Sequence, residues 1–336
     1  MTAPHPNSVA PLPATEANIA SAAECLRSGG VVGFPTETVY GLGADATNVE
    51  AVRRVFAIKG RPSDHPLIVH LASHDWLGDW ARNIPAAALS LAEAFWPGPL
   101  TLVLPRQPHV LDAVTGGQAS IALRVPSHPV ALALIHAAGP LVAPSANRFG
   151  RISPTTAAHV CDELGDAIDL LLDGGPCEIG VESTVISLLG DQPALLRPGG
   201  IAVAQIEAVL GCPLGAAPKS IRAPGQLPAH YAPATPLEVL ATDQLAARAT
   251  ALARQGRRAA LLVFADSGAG LANTPVAHRE LMPGDAISYA RQLYATLRRL
   301  DAKAFDVLLV EATPDNPDWL AISDRLARAA FGTLQH

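Results

Sequence analysis

The stretch Asn48 to Leu71, NVEAVRRVFAIKGRPSDHPLIVHL, predicts a helix that is followed closely by a buried strand. Asn48 is a favourable N-cap, apolar residues recur at helical spacing, and Gly60 is a favourable C-cap. The run PLIVHL (66–71) has the length and the apolar character of a buried strand. A helix joined by a short polar loop to a buried strand is typical of an α/β sheet.

Helix and strand patterns continue to alternate on both sides of this stretch. Upstream, residues 15–29 have helical spacing and VVGF (31–34) predicts a second buried strand. The alternation predicts an α/β domain over residues 15–211. A segment rich in Pro and Gly, residues 212–236, follows as a linker. Beyond it, strands and helices alternate again over residues 237–336, which predicts a smaller parallel-sheet domain.

The composition limits the class of protein. Of the 336 residues, 49% are hydrophobic and 16% are charged, so we expect a full core. The net charge of −6 argues against nucleic-acid binding through bulk charge, which needs a basic face. The four cysteines form no C-x-x-C pair, so we expect reduced thiols in a cytoplasmic enzyme. Residues 1–15 lack a signal-peptide pattern and are expected to form a flexible leader, and no apolar run reaches the ~18 residues of a membrane helix.

Lysine is rare in this chain. Lys59 ends the helix predicted to begin at Asn48, two residues before Arg61. An ammonium and a guanidinium group side by side suit a polyanion such as a triphosphate. The alternative is that basic residues at a helix C-terminus only complement the helix dipole. His65 and His70 flank the following strand, and without a third ligand they make a poor zinc pair.

The segment FPTETVYGLGADA (34–46) offers several hydroxyl groups, the carboxylate of Glu37 and two glycines. It formally contains G-x-G-x-x-A, but the long spacing between strand and glycine argues against a nicotinamide site. We expect Gly41 and Gly43 to form a turn or to let the backbone pass close to a ligand. No Walker A sequence is present, which excludes a P-loop.

Further polar residues lie where predicted strands meet loops. In SIALRVP (120–126), Ser120 and Arg124 fall on one face of a strand. Arg124 needs a partner anion there, either a structural carboxylate or the carboxylate of a substrate. Similar junctions occur in APSANRFGRIS (143–153), GVESTVIS (180–187) and LLRPGG (195–200). Together these junctions predict the rim of one anion-rich pocket.

These motifs, in this order and spacing, closely resemble the YrdC-like domain of the threonylcarbamoyl-AMP synthases. The resemblance covers roughly residues 15–211, and the linker with HYAP (230–233) and the C-terminal domain resemble the long, two-domain form. It implies a twisted, open α/β sheet with ligands on its concave face, plus a smaller Rossmann-like C-terminal α/β domain.

The resemblance also implies an activity, that of a nucleotidyltransferase. ATP, L-threonine and bicarbonate would give L-threonylcarbamoyl-AMP, diphosphate and water, and the product would serve to make N6-threonylcarbamoyladenosine at position 37 of tRNA. The product is expected to pass to the tRNA threonylcarbamoyl-transfer machinery, with no stable tRNA binding and no membrane contact.

Individual residues of this sequence take roles from the same resemblance. Lys59 and Arg61 are expected to be catalytic, because they would hold the phosphates and the bicarbonate or carbamate. ATP binding is assigned to Lys59, Arg61, His65, Ser120, Ser145, Asn147, Ser153, Arg197 and Tyr231. L-Threonine binding is assigned to Thr38, His70, Arg124, Ala143 through its backbone, and Ser183. Tyr231 would close over the site, so that the linker acts as a lid. His65 stands where many relatives have Asn.

Mg²⁺ is expected to arrive with ATP, and only Glu37, Asp173 and Glu182 are candidate ligands from the protein. Two other functions are open to a chain with this domain. A double-stranded-RNA-binding module is disfavoured by the negative charge and the 4% aromatic content. A carbamoyl-adenylate enzyme of the hydrogenase-maturation type is disfavoured because such chains are much longer and rich in cysteine.

Overall fold

The computed structural model describes residues 9–216 and 221–333. The chain divides into two compact units. The larger unit comprises Met1–Phe149 and Ser153–Gln226, and the smaller comprises Gly150–Ile152 and Leu227–His336. The segment predicted as a linker is therefore shared between the two units, and its residues 217–220, including Lys219, lie outside the described residues.

The larger unit contains a ten-stranded mixed sheet. Its strands are β1 (Leu12–Pro13), β2 (Val32–Phe34), β3 (Gly41–Asp45), β4 (Ile68–His70), β5 (Leu100–Pro105), β6 (Ser120–Arg124), β7 (Leu141–Val142), β8 (Leu170–Asp173), β9 (Thr184–Ser187) and β10 (Ala194–Arg197). Their order across the sheet is β1-β8-β2-β3-β7-β4-β6-β5-β9-β10. The helices are α1 (Glu16–Arg27), α2 (Val49–Lys59), α3 (Leu77–Trp80), α4 (Ala86–Phe95), α5 (Asp112–Thr115), α6 (Pro129–Ala138), α7 (Ala157–Leu164) and α8 (Val203–Leu210). The predicted α/β sheet is confirmed.

The helix and strand predicted from residues 48–71 form as α2 and β4. The Asn48 side chain accepts hydrogen bonds from the backbone N–H groups of Glu50 and Ala51, and so caps the start of α2. Gly60 ends the helix with φ +61°, a left-handed conformation that glycine adopts without a Cβ clash.

The two faces of the central strands have different surroundings. Val69, Leu123, Leu102 and Ile186 lie side by side across β4, β6, β5 and β9, in that order, and belong to the main hydrophobic core. Their sequence neighbours point to the opposite face, because side chains alternate along a strand. There Ile68, Ala122, Val103 and Val185 form a smaller apolar cluster. We call the face that carries these four residues the site face.

The expected flexible leader is wrong for its described part. Leu12 and Pro13 form β1, which pairs in parallel with β8 through Leu12 and Leu172. A short stretch rich in Pro gives no periodic signal, so only the tertiary partner shows that it is a strand. Residues 1–8 lie outside the described residues.

The expectation of a turn at the two glycines is also wrong. Gly41 and Gly43 lie within β3, which pairs antiparallel with β2. A Cβ atom on Gly43 would lie 2.7 Å from Cε1 of Phe34, so the close approach of the Phe34 ring is what requires glycine. The backbone does pass close to a neighbour, but that neighbour is a core side chain.

The smaller unit contains four parallel strands in the order β11-β14-β12-β13. The strands are β11 (Leu237–Leu240), β12 (Ala259–Phe264), β13 (His278–Met282) and β14 (Val307–Glu311), and the helices are α9 (Thr242–Arg254), α10 (Ala265–Gly268), α11 (Ala286–Asp301) and α12 (Leu320–Thr333). The predicted small parallel sheet is confirmed. Strand β13, with sequence HRELM, was missed because three of its five residues are charged or imidazole groups. Among the described helices of both units, none combines the length and the apolar character needed to cross a membrane.

Candidate functional site

Lys59 is a buried amine at the end of α2. The residue is only 3% exposed. Its Nζ donates to the carbonyl oxygens of Ser145 and Asn147, each at 2.5 Å. These carbonyls belong to the loop after β7, so the helix-dipole alternative does not explain this lysine. Burial and the neighbouring charge of Arg61 hold the pKa of Lys59 well below its usual range.

Arg61 is held beside Lys59 by a carbonyl and an aromatic ring. Its Nη2 donates to the carbonyl oxygen of Pro66 at 2.9 Å, and its guanidinium carbon lies 5.7 Å from the ring centroid of Phe149. The His65 ring meets the same phenyl ring edge-on, with centroids 5.6 Å apart. Burial and the charge of Arg61 lower the pKa of His65. Phe149 was not predicted as a site residue, because a lone aromatic residue in a polar loop carries no chemical signal by itself.

His70 and Arg124 lie next to each other on the site face. Strands β4 and β6 are parallel, and their register places His70 opposite Arg124. Burial, assisted by the charge of Arg124, lowers the pKa of His70 to about 3. His70 is therefore an uncharged imidazole at neutral pH, and its Nδ1 lies 3.3 Å from the carbonyl oxygen of Ile68.

Arg124 has a structural carboxylate as its partner, one of the two possibilities left open by the sequence. Its Nη2 donates to Oε1 of Glu37 at 2.6 Å, and its Nε donates to the carbonyl oxygen of Gly98 at 3.3 Å. Both charged side chains are at most 5% exposed. The pair fixes Glu37, which follows β2, against the end of β6.

Ser183 and Arg197 form a third polar group of the larger unit. The Ser183 hydroxyl lies 2.7 Å from that of Thr101, a β5 residue on the site face. Arg197 Nη2 donates to the carbonyl and hydroxyl oxygens of Ser183, at 2.9 and 3.1 Å, and its Nη1 donates to the carbonyl oxygen of Pro224 at 3.0 Å. Thr101 was not predicted as a site residue either, because it lies inside an apolar strand.

The remaining predicted residues of the larger unit surround these groups. Ser120 begins β6 on the site face, two residues before Ala122. Thr38 is fully buried, with its hydroxyl 2.9 Å from that of Thr36. The Ala143 N–H donates to the carbonyl oxygen of Ile68 at 3.2 Å, so the sheet already uses this backbone donor.

The carboxylates expected as Mg²⁺ ligands have separate partners in the protein. Glu37 pairs with Arg124, Asp173 accepts from the Gly175 N–H at 2.9 Å, and Glu182 accepts from the Ser153 hydroxyl at 2.6 Å. Across residues 9–216 and 221–333, His, Cys, Asp and Glu side chains form no group of three or more that could hold a metal ion.

Part of the predicted linker packs against the site face. Ala223 lies in the same apolar cluster as Ile68 and Val103, and Ile221 contacts that cluster. Arg222 pairs with Asp64 at 3.0 Å and donates to the carbonyl oxygen of Gly116 at 3.0 Å. Residues 221–226 thus belong structurally to the larger unit.

Tyr231 belongs to the smaller unit. Its side chain is 1% exposed, its ring stacks on Tyr294 with centroids 5.9 Å apart, and the Arg325 guanidinium lies 5.0 Å from its ring centroid. Its backbone has φ +61°, a conformation that costs a non-glycine residue about 1 to 2 kcal/mol. The ATP contact expected of Tyr231 stays a prediction.

The buried His70 should make the protein less stable in acid. Its pKa is about 3 in the folded chain and ~6.5 in an unfolded one. The unfolded state therefore binds the extra proton between these values, so stability is complete above pH ~6.5 and falls as the pH drops towards 3. Between pH 7 and 4 we expect the wild type to lose about 3 kcal/mol more unfolding free energy than His70→Asn. Urea unfolding at several pH values measures this difference, and parallel curves for both proteins would contradict the prediction.

Comparison with known proteins finds close relatives over nearly the whole chain. A family model described as "Telomere recombination" (Sua5_yciO_yrdC) matches residues 24–199, and one described as "Threonylcarbamoyl-AMP synthase, C-terminal domain" (Sua5_C) matches residues 201–331. The threonylcarbamoyl-AMP synthase of Bacillus subtilis is 43% identical over 333 residues, which is 96% of each chain. That of Pyrococcus abyssi is 40% identical over 94% of each chain.

Two solved structures are similar to this chain over 94% of its length. The crystal structure of P. abyssi Sua5 complexed with L-threonine superposes with a TM-score of 0.86, at 38% identity over 94% of each chain. A doubly substituted variant of P. abyssi Sua5 gives the same TM-score of 0.86 at 37% identity, over 94% of this chain and 93% of that one.

Proposed function

This chain belongs to the threonylcarbamoyl-AMP synthase family, and we propose on that premise that its larger unit condenses ATP, L-threonine and bicarbonate into L-threonylcarbamoyl-AMP. Enzymes of this family are nucleotidyltransferases of tRNA modification. The observation that carries the proposal is the buried Lys59, held beside Arg61 by the carbonyls of Ser145 and Asn147. Beside bound phosphate both basic groups would be charged, and two adjacent cations on rigid supports suit a reaction among three anionic or zwitterionic substrates.

The reaction has two bond-forming steps. The amino nitrogen of threonine bonds to the carbon of bicarbonate, and water leaves to give a carbamate. A carbamate oxygen then bonds to the α-phosphorus of ATP, the bond to the bridging oxygen breaks, and pyrophosphate leaves. Lys59 and Arg61 would neutralise the charge that develops on the phosphoryl oxygens, and little covalent work is asked of any side chain.

The substrates are assigned to the polar groups of the larger unit. The nucleotide would lie against Ser120, Ser145, Asn147, Ser153 and Arg197, with His65 and Tyr231 as further ATP contacts. Threonine would lie against Thr38, His70, Arg124, Ser183 and the Ala143 backbone. Because its pKa is about 3, His70 would act as a neutral hydrogen-bonding group towards threonine and not as a cation.

The proposed reaction also needs a metal ion and a consumer for its product. Mg²⁺ would enter with ATP, bound mainly by phosphate oxygens and water. The product would pass to the machinery that transfers the threonylcarbamoyl group to tRNA. The four cysteines are free thiols, in keeping with the proposed cytoplasmic location.

The test of the proposed function is pyrophosphate release by the purified chain with ATP, Mg²⁺, bicarbonate and L-threonine. We expect release to require all four, and mass spectrometry to find L-threonylcarbamoyl-AMP. Release that is indifferent to threonine would leave the fold assignment intact and contradict the substrate assignment. Retention of double-stranded RNA or turnover of carbamoyl phosphate in its place would support one of the two alternative functions.

A further inference from the structure

Glu37 has one carboxylate oxygen that the protein leaves without a hydrogen bond. Its Oε1 accepts from Arg124, whereas its Oε2 is fully buried and accepts no hydrogen bond from any described residue. A buried carboxylate oxygen with no donor carries a desolvation penalty that nothing in the folded chain offsets. Such an atom requires an explanation, and a ligand that supplies the donor is one.

Arg124 leaves a complementary group unused beside it. Its Nη2 and Nε donate to Glu37 and to the carbonyl oxygen of Gly98. Its third nitrogen, Nη1, donates no hydrogen bond within the part of the chain that the structure describes. One fixed ion pair therefore offers a free cationic donor and a free anionic acceptor, and both partners are at most 5% exposed.

The groups around Glu37 do not supply the missing donor. The charge of Glu37 acts to raise the pKa of two neighbouring groups, His128 and Cys177. The Nδ1 of His128 instead accepts from the Val130 N–H at 3.2 Å. Glu37 is also not part of a metal site formed by three or more described side chains, so a divalent cation would find no further protein ligands of that kind here.

We propose that Glu37 binds the α-ammonium group of the amino-acid substrate through Oε2, next to Arg124, whose Nη1 would hold the α-carboxylate as the family resemblance already implies. The ligand class that fits is an α-amino acid zwitterion, whose two charges complement the two free groups of the pair. This inference deepens the proposed function and rests on it, because it takes L-threonine as the substrate. It adds Glu37 to the site as the residue that selects for an amino group and holds its nitrogen in place.

The proposal predicts a specific loss of affinity. A hydrogen bond to a charged group contributes enough that removing it should weaken L-threonine binding about 10- to 100-fold. A ligand that lacks the amino group makes no hydrogen bond to Glu37, so the substitution should leave its affinity nearly unchanged. The analogue (R)-3-hydroxybutanoate differs from L-threonine only in having hydrogen in place of the amino group.

The experiment is calorimetric titration of each ligand into the full chain. It compares the wild type with Glu37→Gln, and each protein is first saturated with a non-hydrolysable ATP analogue. Glutamine keeps the size of the side chain and an oxygen for Arg124. We expect the wild type to bind L-threonine at least about tenfold more tightly than (R)-3-hydroxybutanoate, and Glu37→Gln to lose about 10- to 100-fold for threonine but less than about threefold for the analogue. The matched control is Glu24→Gln, because the Glu24 carboxylate lies on α1 and is 69% exposed.

Other results would contradict either the role of Glu37 or the proposed function itself. Glu37→Gln that binds threonine like the wild type, or weakens both ligands equally, would show that Glu37 only supports Arg124. If Glu37→Gln does not fold, equal affinities of the wild type for the two ligands would overturn the proposal on their own. Wild type that binds no L-threonine would contradict the proposed function itself, whatever Glu37 does.

Discussion

Lys59→Met is expected to lower threonine-dependent pyrophosphate release by about 100- to 1000-fold. The reason is electrostatic: a cation preorganised at a phosphoryl group acts in a site from which water is excluded, where its charge is poorly screened. Lys59 is 3% exposed and fixed by two carbonyl oxygens, so its amino group has a set position in the site. Methionine fills a similar volume without the charge. Single-turnover rates of pyrophosphate release measure the effect.

The matched control for this variant is Lys303→Met. Lys303 is the other described lysine of the chain and is exposed in the smaller unit. It should keep wild-type activity, since neither the proposed reaction nor the described site uses it. Circular dichroism must show both variants folded. A folded Lys59→Met protein with more than about a tenth of the wild-type rate would remove Lys59 from the chemistry.

Arg124→Met is expected to abolish measurable threonine binding and to lower the free energy of unfolding by about 3 to 5 kcal/mol. The loss of stability comes from Glu37, because the variant leaves its carboxylate buried beside a methyl group instead of a guanidinium. Breaking one side of a buried ion pair costs more than removing the whole pair. Urea unfolding and calorimetric titration with L-threonine measure the two effects separately.

A second substitution separates stability from binding. In the double variant Glu37→Gln/Arg124→Met the buried charge is gone, so most of the lost stability should return. Threonine binding should stay absent, because both groups proposed to bind the zwitterion are missing. Arg53→Met, an exposed α2 residue paired only at the surface with Glu50, is the control and should change stability by less than about 1 kcal/mol. Equal stabilities of the single and double variants would show that Glu37 carries no unpaired charge in Arg124→Met.

Local sequence signals were sufficient for most helices and strands of this chain. The Asn48 cap and the Gly60 end of α2 act between residues a few positions apart, so the sequence contains the whole cause. The signals failed where the cause is distant. Gly43 lies in a strand because the Phe34 ring packs over it, and Leu12 is in a strand because β8 lies beside it.

The same division holds for the candidate site. The scarcity of lysine, the Lys59–Arg61 spacing and the polar strand ends point from the sequence alone to an anion-binding site. Residue types also showed that Arg124 needs an anion. The identity of that anion could not be predicted, because Glu37 and Arg124 are separated by 87 positions in the chain.

The sequence by itself determined the α/β class, the two sheet-forming regions and the chemistry of the residues placed at strand ends, because these depend on local periodicity and side-chain type. Only the tertiary structure decided which charges meet, which carboxylate oxygen stays without a donor and which linker residues cover the site face. The physical reason is that burial and pairing depend on distances between remote segments, and those distances set the pKa of Lys59 and His70 and the free groups of the Glu37–Arg124 pair.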